Sequence, residues 1–169
     1  MIFEQVLGLD KISNTEKIIN RVAIRAVIHK DKQLLMITNN KGDIKFPGGG
    51  LEPNESHEEA IKREVQEETG FIVSDVIERI GSVIERREDK FEENCIFEMI
   101  SYYYRCKVTG EETEQSLDDY EAELEYKAKW INLDEAISIN KVISKEKNRN
   151  PWVRRELFVL NQLTKCNRK

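Results

Sequence analysis

A chain of 169 residues is long enough for one domain with a real hydrophobic core. Its 39% hydrophobic and 35% charged residues are an ordinary globular balance and argue against a disordered chain. A net charge of −5 argues against broad non-specific binding to nucleic acid, while leaving room for a local basic groove.

The chain opens with MIFEQVLGLDKISNTEK, which has neither the basic start nor the apolar centre of a signal peptide. Residues 1–169 are expected to form a single domain, of which 1–20 are an N-terminal extension of uncertain structure. No apolar run reaches the roughly 20 residues that span a bilayer. The three cysteines, Cys95, Cys106 and Cys166, share no metal-type spacing, and two histidines, His29 and His57, are too few for a His-rich zinc site. Reduced thiols in a cytoplasmic protein with no membrane partner are expected.

A first strand is predicted at 22–29 (VAIRAVIH) and a second at 33–38 (QLLMIT), with a turn at Lys30–Lys32 between them. The segment NNKGD carries turn chemistry. A short strand, IKF, then runs into Pro47 and three consecutive glycines, Gly48–Gly50. Ser56 and Glu59 fit the capping-box pattern S-x-x-E, and Gly70 suits a helix C-terminus, which predicts a helix over 57–69. The strands FIVSDV and RIGSVIER follow. In CIFEMISYYYRCKV (95–108) the alternation puts Ile100, Tyr102, Tyr104, Cys106 and Val108 on one face, so Tyr102 and Tyr104 are expected in the core. The acidic stretch 110–123 reads as a solvated loop. EYKAKWIN is a strand, LDEAISI a short helix, and PWVRRELFVLNQLTK a terminal helix capped by Asn150, with Val153, Leu157 and Leu160 on one face. Strands interleaved with helices on both sides predict a mixed α/β sandwich.

The segment 48–71, GGGLEPNESHEEAIKREVQEETGF, packs seven glutamates into 24 positions. At about 100° per residue, Glu64, Glu67 and Glu68 share one side of the helix, and Glu64 and Glu68 flank the apolar stripe of Ile61 and Val65. Like charges at i, i+4 cost a few tenths of a kcal/mol. A hard divalent cation between them, Mg²⁺, Mn²⁺ or Ca²⁺, would reverse that cost. An exposed acidic helix balanced by Lys62 and Arg63 is the plainer reading of the triplet alone. The three glycines let the backbone approach a neighbour closely, their amides can cradle phosphate and their carbonyls can ligate a metal; a flexible turn is the plainer reading of the glycines alone.

These residues resemble a known signature. The Nudix box, G-x5-E-x7-R-E-U-x-E-E-x-G-U with U bulky and apolar, is matched by Gly49, Glu55, Arg63, Glu64, Val65, Glu67, Glu68, Gly70 and Phe71, nine positions over 23 residues. Phe71 is aromatic where an aliphatic residue is commoner. The resemblance implies a Nudix-type α/β/α sandwich with a mixed sheet between helices. It also implies metal-dependent hydrolysis of a diphosphate linkage in a nucleoside diphosphate joined to another group.

Carried over by position, Glu64, Glu67, Glu68 and the Gly48 carbonyl would bind Mg²⁺ or Mn²⁺, with Glu64 or Glu68 as general base. Arg63 would orient the glutamates, and Glu55 would brace the loop against the helix. Many members carry one more acidic ligand before the downstream Trp strand. Glu125 matches that placement, with Glu123 as fallback; an exposed strand residue is the competing reading of Glu125. Arg25 and Lys45 are candidates for phosphate contacts, or are simply surface charge. No proline or tyrosine stands at the downstream positions that mark ADP-ribose and dinucleoside-polyphosphate members. Oxidised nucleotides, sugar nucleotides and a 5′ RNA pyrophosphate all stay open as substrates. The family contains many homodimers. Two further readings stand beside the enzyme: a catalytically silent Nudix-fold nucleotide-binding or regulatory module, and an acidic partner-binding helix without a metal.

Overall fold

The computed structural model describes residues 1–9 and 17–166, the side chain of Cys166 excepted. The expected free thiol of Cys166 and part of the N-terminal extension therefore lie outside the described residues. Among those residues, β1 (Phe3–Gly8), β2 (Lys17–Lys30), β3 (Gln33–Thr38), β4 (Ile44–Lys45), β5 (Phe71–Glu88), β6 (Cys95–Glu112) and β7 (Lys127–Asn132) form one seven-stranded sheet. The helices are α1 (His57–Thr69), α2 (Asp119–Glu123), α3 (Leu133–Ile143) and α4 (Val153–Cys166). The sheet order is β1-β5-β6-β2-β3-β4, with β7 pairing β3. β1 runs parallel to β5 and β2 parallel to β6; the other pairs are antiparallel. No helix of the described residues is long and apolar enough to cross a membrane. Cys95 and Cys106 are free thiols.

Helices cover both faces, so the sheet has two cores. On one side Ala60, Ile61 and Val65 of α1 pack on Ile24, Ala26, Ile28 and Leu35. On the other, Val159, Leu160 and Leu163 of α4 and Ala136 of α3 pack on Val27, Met36, Phe46 and Tyr103. Burial at about 25 cal/mol per Å² of apolar surface makes these two layers the main source of stability.

Helix α1 starts and stops where its caps dictate. Ser56 and Glu59 close a reciprocal capping box, and Gly70 ends the helix at φ 76°. Several expectations need correction. Phe3–Gly8, within the presumed extension, is a strand on the sheet edge. FIVSDV and RIGSVIER are one strand, β5, whose register shifts four times against β6. The alternation in β6 is real, but its second face is also buried. Tyr103 and Ser101 are 0% exposed, while Tyr102 and Tyr104 are half-buried beside His57. With helices on both sides, alternation cannot say which face is inside. Asn150 is diverted from capping α4, since its amide donates to Asp43 at 2.7 Å. The buried stripe of α4 runs through Val153, Glu156, Leu160 and Leu163, with Leu157 only half-buried.

The acidic stretch is not all loop. Residues 113–116 strap the C-terminal end of α1: Thr113 N–H donates to Gly70 O at 2.7 Å, Ser116 N–H to Glu67 O at 2.9 Å, and the Gln115 amide to Glu68 O. These bonds satisfy carbonyls that the helix cannot satisfy itself. The chain then turns into α2, which Asp118 and Glu121 close with a second capping box.

Candidate active site

The site is where the Gly48–Gly50 turn meets the second half of α1. The turn lies along β2: Ala26 N–H donates to Pro47 O at 2.8 Å and Ile24 N–H to Gly49 O at 2.9 Å. Gly48 has φ 133°, and a Cβ there would collide with the Ile24 carbonyl, so only glycine fits. A Cβ on Gly49 would strike the Glu64 carboxylate. Turn and helix are therefore in direct contact.

Glu68 is 0% exposed. One of its oxygens accepts from Gly48 N–H at 2.8 Å and the other from Lys45 Nζ at 2.5 Å. The Gly48 carbonyl accepts from Arg25 Nη1 and, at 3.4 Å, from Lys45 Nζ. Lys45 also lies 4.7 Å over the Tyr126 ring. Arg25 Nε is buried without a partner among the described residues. Arg25 and Lys45 are thus buried inside the site and are not surface charge.

Arg63 is fully committed to the protein. It grips Glu55 with two bonds of 2.7 and 2.8 Å, and reaches Glu64 at 2.9 Å, Glu67 at 3.1 Å and Gly50 O at 3.3 Å. This bidentate pair ties the loop to the helix and holds the Glu55 carboxyl below, and the guanidinium above, its ordinary range. Glu67 is 41% exposed and stands at the rim.

Glu64, Glu68 and Glu121 each bring a carboxylate oxygen within 4.8 Å of the other two. Burial, and then the neighbouring Glu68, push the Glu64 carboxyl up. The same two causes push Glu121 up to about 7. Three hard oxygen donors held this close against their own repulsion fit a Mg²⁺ or Mn²⁺ ion, with the Gly48 carbonyl alongside.

Glu125 is not among them. It has φ 54°, is 61% exposed and lies 3.8 Å from Lys127. Glu123 is exposed as well. The strap over α1 shortens the path of the chain, so Glu121 on α2 arrives at the cluster and Glu125 points away. The D-x-x-E pattern at Asp118–Glu121 was the available signal, since a second capping box marks a helix start in the presumed loop.

A model of the NUDIX domain family matches residues 19–155. An ADP-ribose pyrophosphatase of Methanocaldococcus jannaschii is similar at 47% identity over 55 residues, 30% of this chain and 32% of that protein. Nudix hydrolase 12, mitochondrial, of Arabidopsis thaliana is similar at 26% identity over 115 residues, 66% of this chain and 53% of that protein. The matches thus span about a third and about half of the length of these relatives. Among solved structures, a NUDIX hydrolase from Nitrosomonas europaea superposes with a TM-score of 0.58 at 23% identity, covering 86% of this chain and 90% of that chain, a likeness of fold.

Proposed function

The chain belongs to the NUDIX domain family, and from that premise we propose that it is a metal-dependent pyrophosphohydrolase whose substrate is a nucleoside diphosphate joined to a further group. The observation that carries this reading is the convergence of Glu64, Glu68 and Glu121 beside the Gly48 carbonyl. Lys45 and Arg63 offset part of the charge of Glu68 and Glu64, but no ion pair reaches Glu121 among the described residues, and a divalent cation shared by the three carboxylates would relieve the repulsion that is left.

Glu64, Glu68, Glu121 and the Gly48 carbonyl would hold the ion, and Glu67 at the rim is placed to join them through solvent. A divalent cation supplies Lewis-acid polarisation of a phosphoryl oxygen and lowers the pKa of water. The residues of the chain do the rest. Glu121 is the best-supported general base. Both oxygens of Glu68 already accept hydrogen bonds, whereas at Glu121 only one oxygen is so engaged among the described residues, by Asp118 N–H at 3.1 Å. Water attacks phosphorus, its proton passes to the carboxylate, and the bond from phosphorus to the bridging oxygen breaks. Lys45 and Arg25, with the unpartnered Arg25 Nε, offer positive charge to the phosphates. Arg63 orients Glu64 and Glu67 and makes no substrate contact.

The similar M. jannaschii protein is named for ADP-ribose, a nucleoside diphosphate joined to a sugar, which supports the substrate class. A phosphate-release screen tests the reading. Nucleoside triphosphates, sugar nucleotides, dinucleotides and 5′-triphosphorylated RNA would each be offered with Mg²⁺, Mn²⁺ or EDTA. Metal-dependent cleavage of one class, lost by at least a hundredfold in Glu68→Gln, is expected. Turnover that ignores EDTA, or that survives in Glu68→Gln, would refute it.

A further inference from the structure

β4 is two residues long, yet it leads straight into the Gly48 turn. One edge pairs with β3, Ile37 with Lys45 and Thr38 with Ile44. Among the described residues its other edge has no neighbouring strand. Ile44 and Phe46 are buried, so the peptide groups on that edge need partners that water cannot provide.

Two side chains fill the place of a strand. Asn140 of α3 is 0% exposed; its oxygen accepts from Ile44 N–H at 3.0 Å and its amide donates to Ile44 O at 2.8 Å. Glu156 of α4, also 0% exposed, accepts from Phe46 N–H at 2.9 Å. Ile44 and Phe46 are two residues apart, which is the spacing at which a strand presents successive groups on one edge. Glu156 is itself held from behind: its second oxygen accepts from Tyr103 OH at 3.2 Å and from Arg155 Nη2 at 2.8 Å, and Arg155 reaches Glu85 at 2.6 Å. A buried ion pair is a poor means of gaining stability, since apolar packing of the same volume does as well or better. A geometric role accounts for its presence. Glu156 falls one residue beyond the stretch that the family model matches.

We propose that Asn140 and Glu156 act as a surrogate strand, positioning residues that set where the Gly48 amide and carbonyl stand and so tune the affinity of the acidic cluster for its cation. The path is short. Phe46 is two residues from Gly48, whose N–H fixes Glu68 and whose carbonyl faces Lys45. The packing of α3 and α4 on one face of the sheet is thereby coupled to the carboxylates of α1 on the other. The inference rests on the reading of Glu64, Glu68 and Glu121 as a cation site.

The test uses the full chain and two readouts that do not need turnover. Mn²⁺ affinity is measured by calorimetry, and amide hydrogen exchange at Phe46 and Gly48 by NMR without metal. Glu156→Leu should weaken Mn²⁺ binding about tenfold or more, as loss of a supporting partner does at metal sites. It should also speed exchange at Phe46 and Gly48 while the β2–β6 amides stay protected. Val159→Ala, a buried apolar truncation in the same helix, should lower the melting temperature and leave Mn²⁺ affinity unchanged. Asn140→Ser, which removes only the bonds to Ile44, gives the same readouts should Glu156→Leu fail to fold. Wild-type affinity and exchange in the folded variants would overturn the proposal, as would an equal loss of affinity in Val159→Ala. Wild-type protein that binds no Mn²⁺ would overturn the cation-site reading instead, and Gly48 exchange would then decide the positioning role by itself.

Discussion

Glu121 and Glu125 are four positions apart and occupy opposite environments. Glu121 lies within 4.8 Å of two other carboxylates, and Glu125 faces solvent beside Lys127. Glu121→Gln is therefore expected to weaken Mn²⁺ binding and cut turnover by orders of magnitude, whereas Glu125→Gln should match wild type in both, as read by calorimetry and steady-state kinetics. The pH dependence has a defined sign. The Glu121 carboxyl is raised from its ordinary 4.5 to about 7, so the folded protein holds that proton more tightly than the unfolded chain does. This contribution is complete below pH 4.5 and is lost as pH rises through 7. In EDTA, the melting temperature should fall between pH 5 and pH 8, and Glu121→Gln should flatten that slope. Glu64, raised in the same direction, leaves a residual slope in the variant.

Helix α1 was fully legible because everything that defines it is local. Its capping box, its apolar stripe and its terminal glycine lie within 15 residues of one another. Ser56→Ala removes the side chain that accepts from Glu59 N–H and should cost about 1 kcal/mol in a denaturation experiment, with the box carboxylates left in place. The five-residue α2 was not read, since so short a helix has little intrinsic stability and depends on its cap and on the strap over α1. That Glu55 braces the loop against α1 was implied only by the resemblance; the structure shows the means, two bonds from Arg63. The roles of Tyr103 and Glu156 were illegible for a different reason. Their partners are 53 residues apart in the chain, and Glu156 is 110 residues from Phe46, so no window of sequence holds both ends of either bond.

At the level of the whole molecule, the two halves of the acidic cluster belong to distant parts of the chain. Glu64 and Glu68 sit on α1, and Glu121 follows the long β5–β6 hairpin. Between them the chain runs out along β5, turns around Asp89–Asn94 and returns along β6. The turn is exposed, and Phe91 at its tip is 96% exposed. The β5–β6 ladder then re-registers the chain at Phe71–Glu112, beside the end of α1. Contour length and spatial separation are therefore independent in this fold: the hairpin works as a closed detour whose entrance and exit are pinned together. A flexible peptide spliced in at Phe91 would add loop-closure entropy that grows only with the logarithm of its length. Such an insertion protein should keep wild-type Mn²⁺ affinity by calorimetry while carrying a tag or a reporter domain at the far end of the sheet. The tip is thus a natural port for grafting, and the number of residues separating the third carboxylate from the first two is free to drift without consequence for the chemistry.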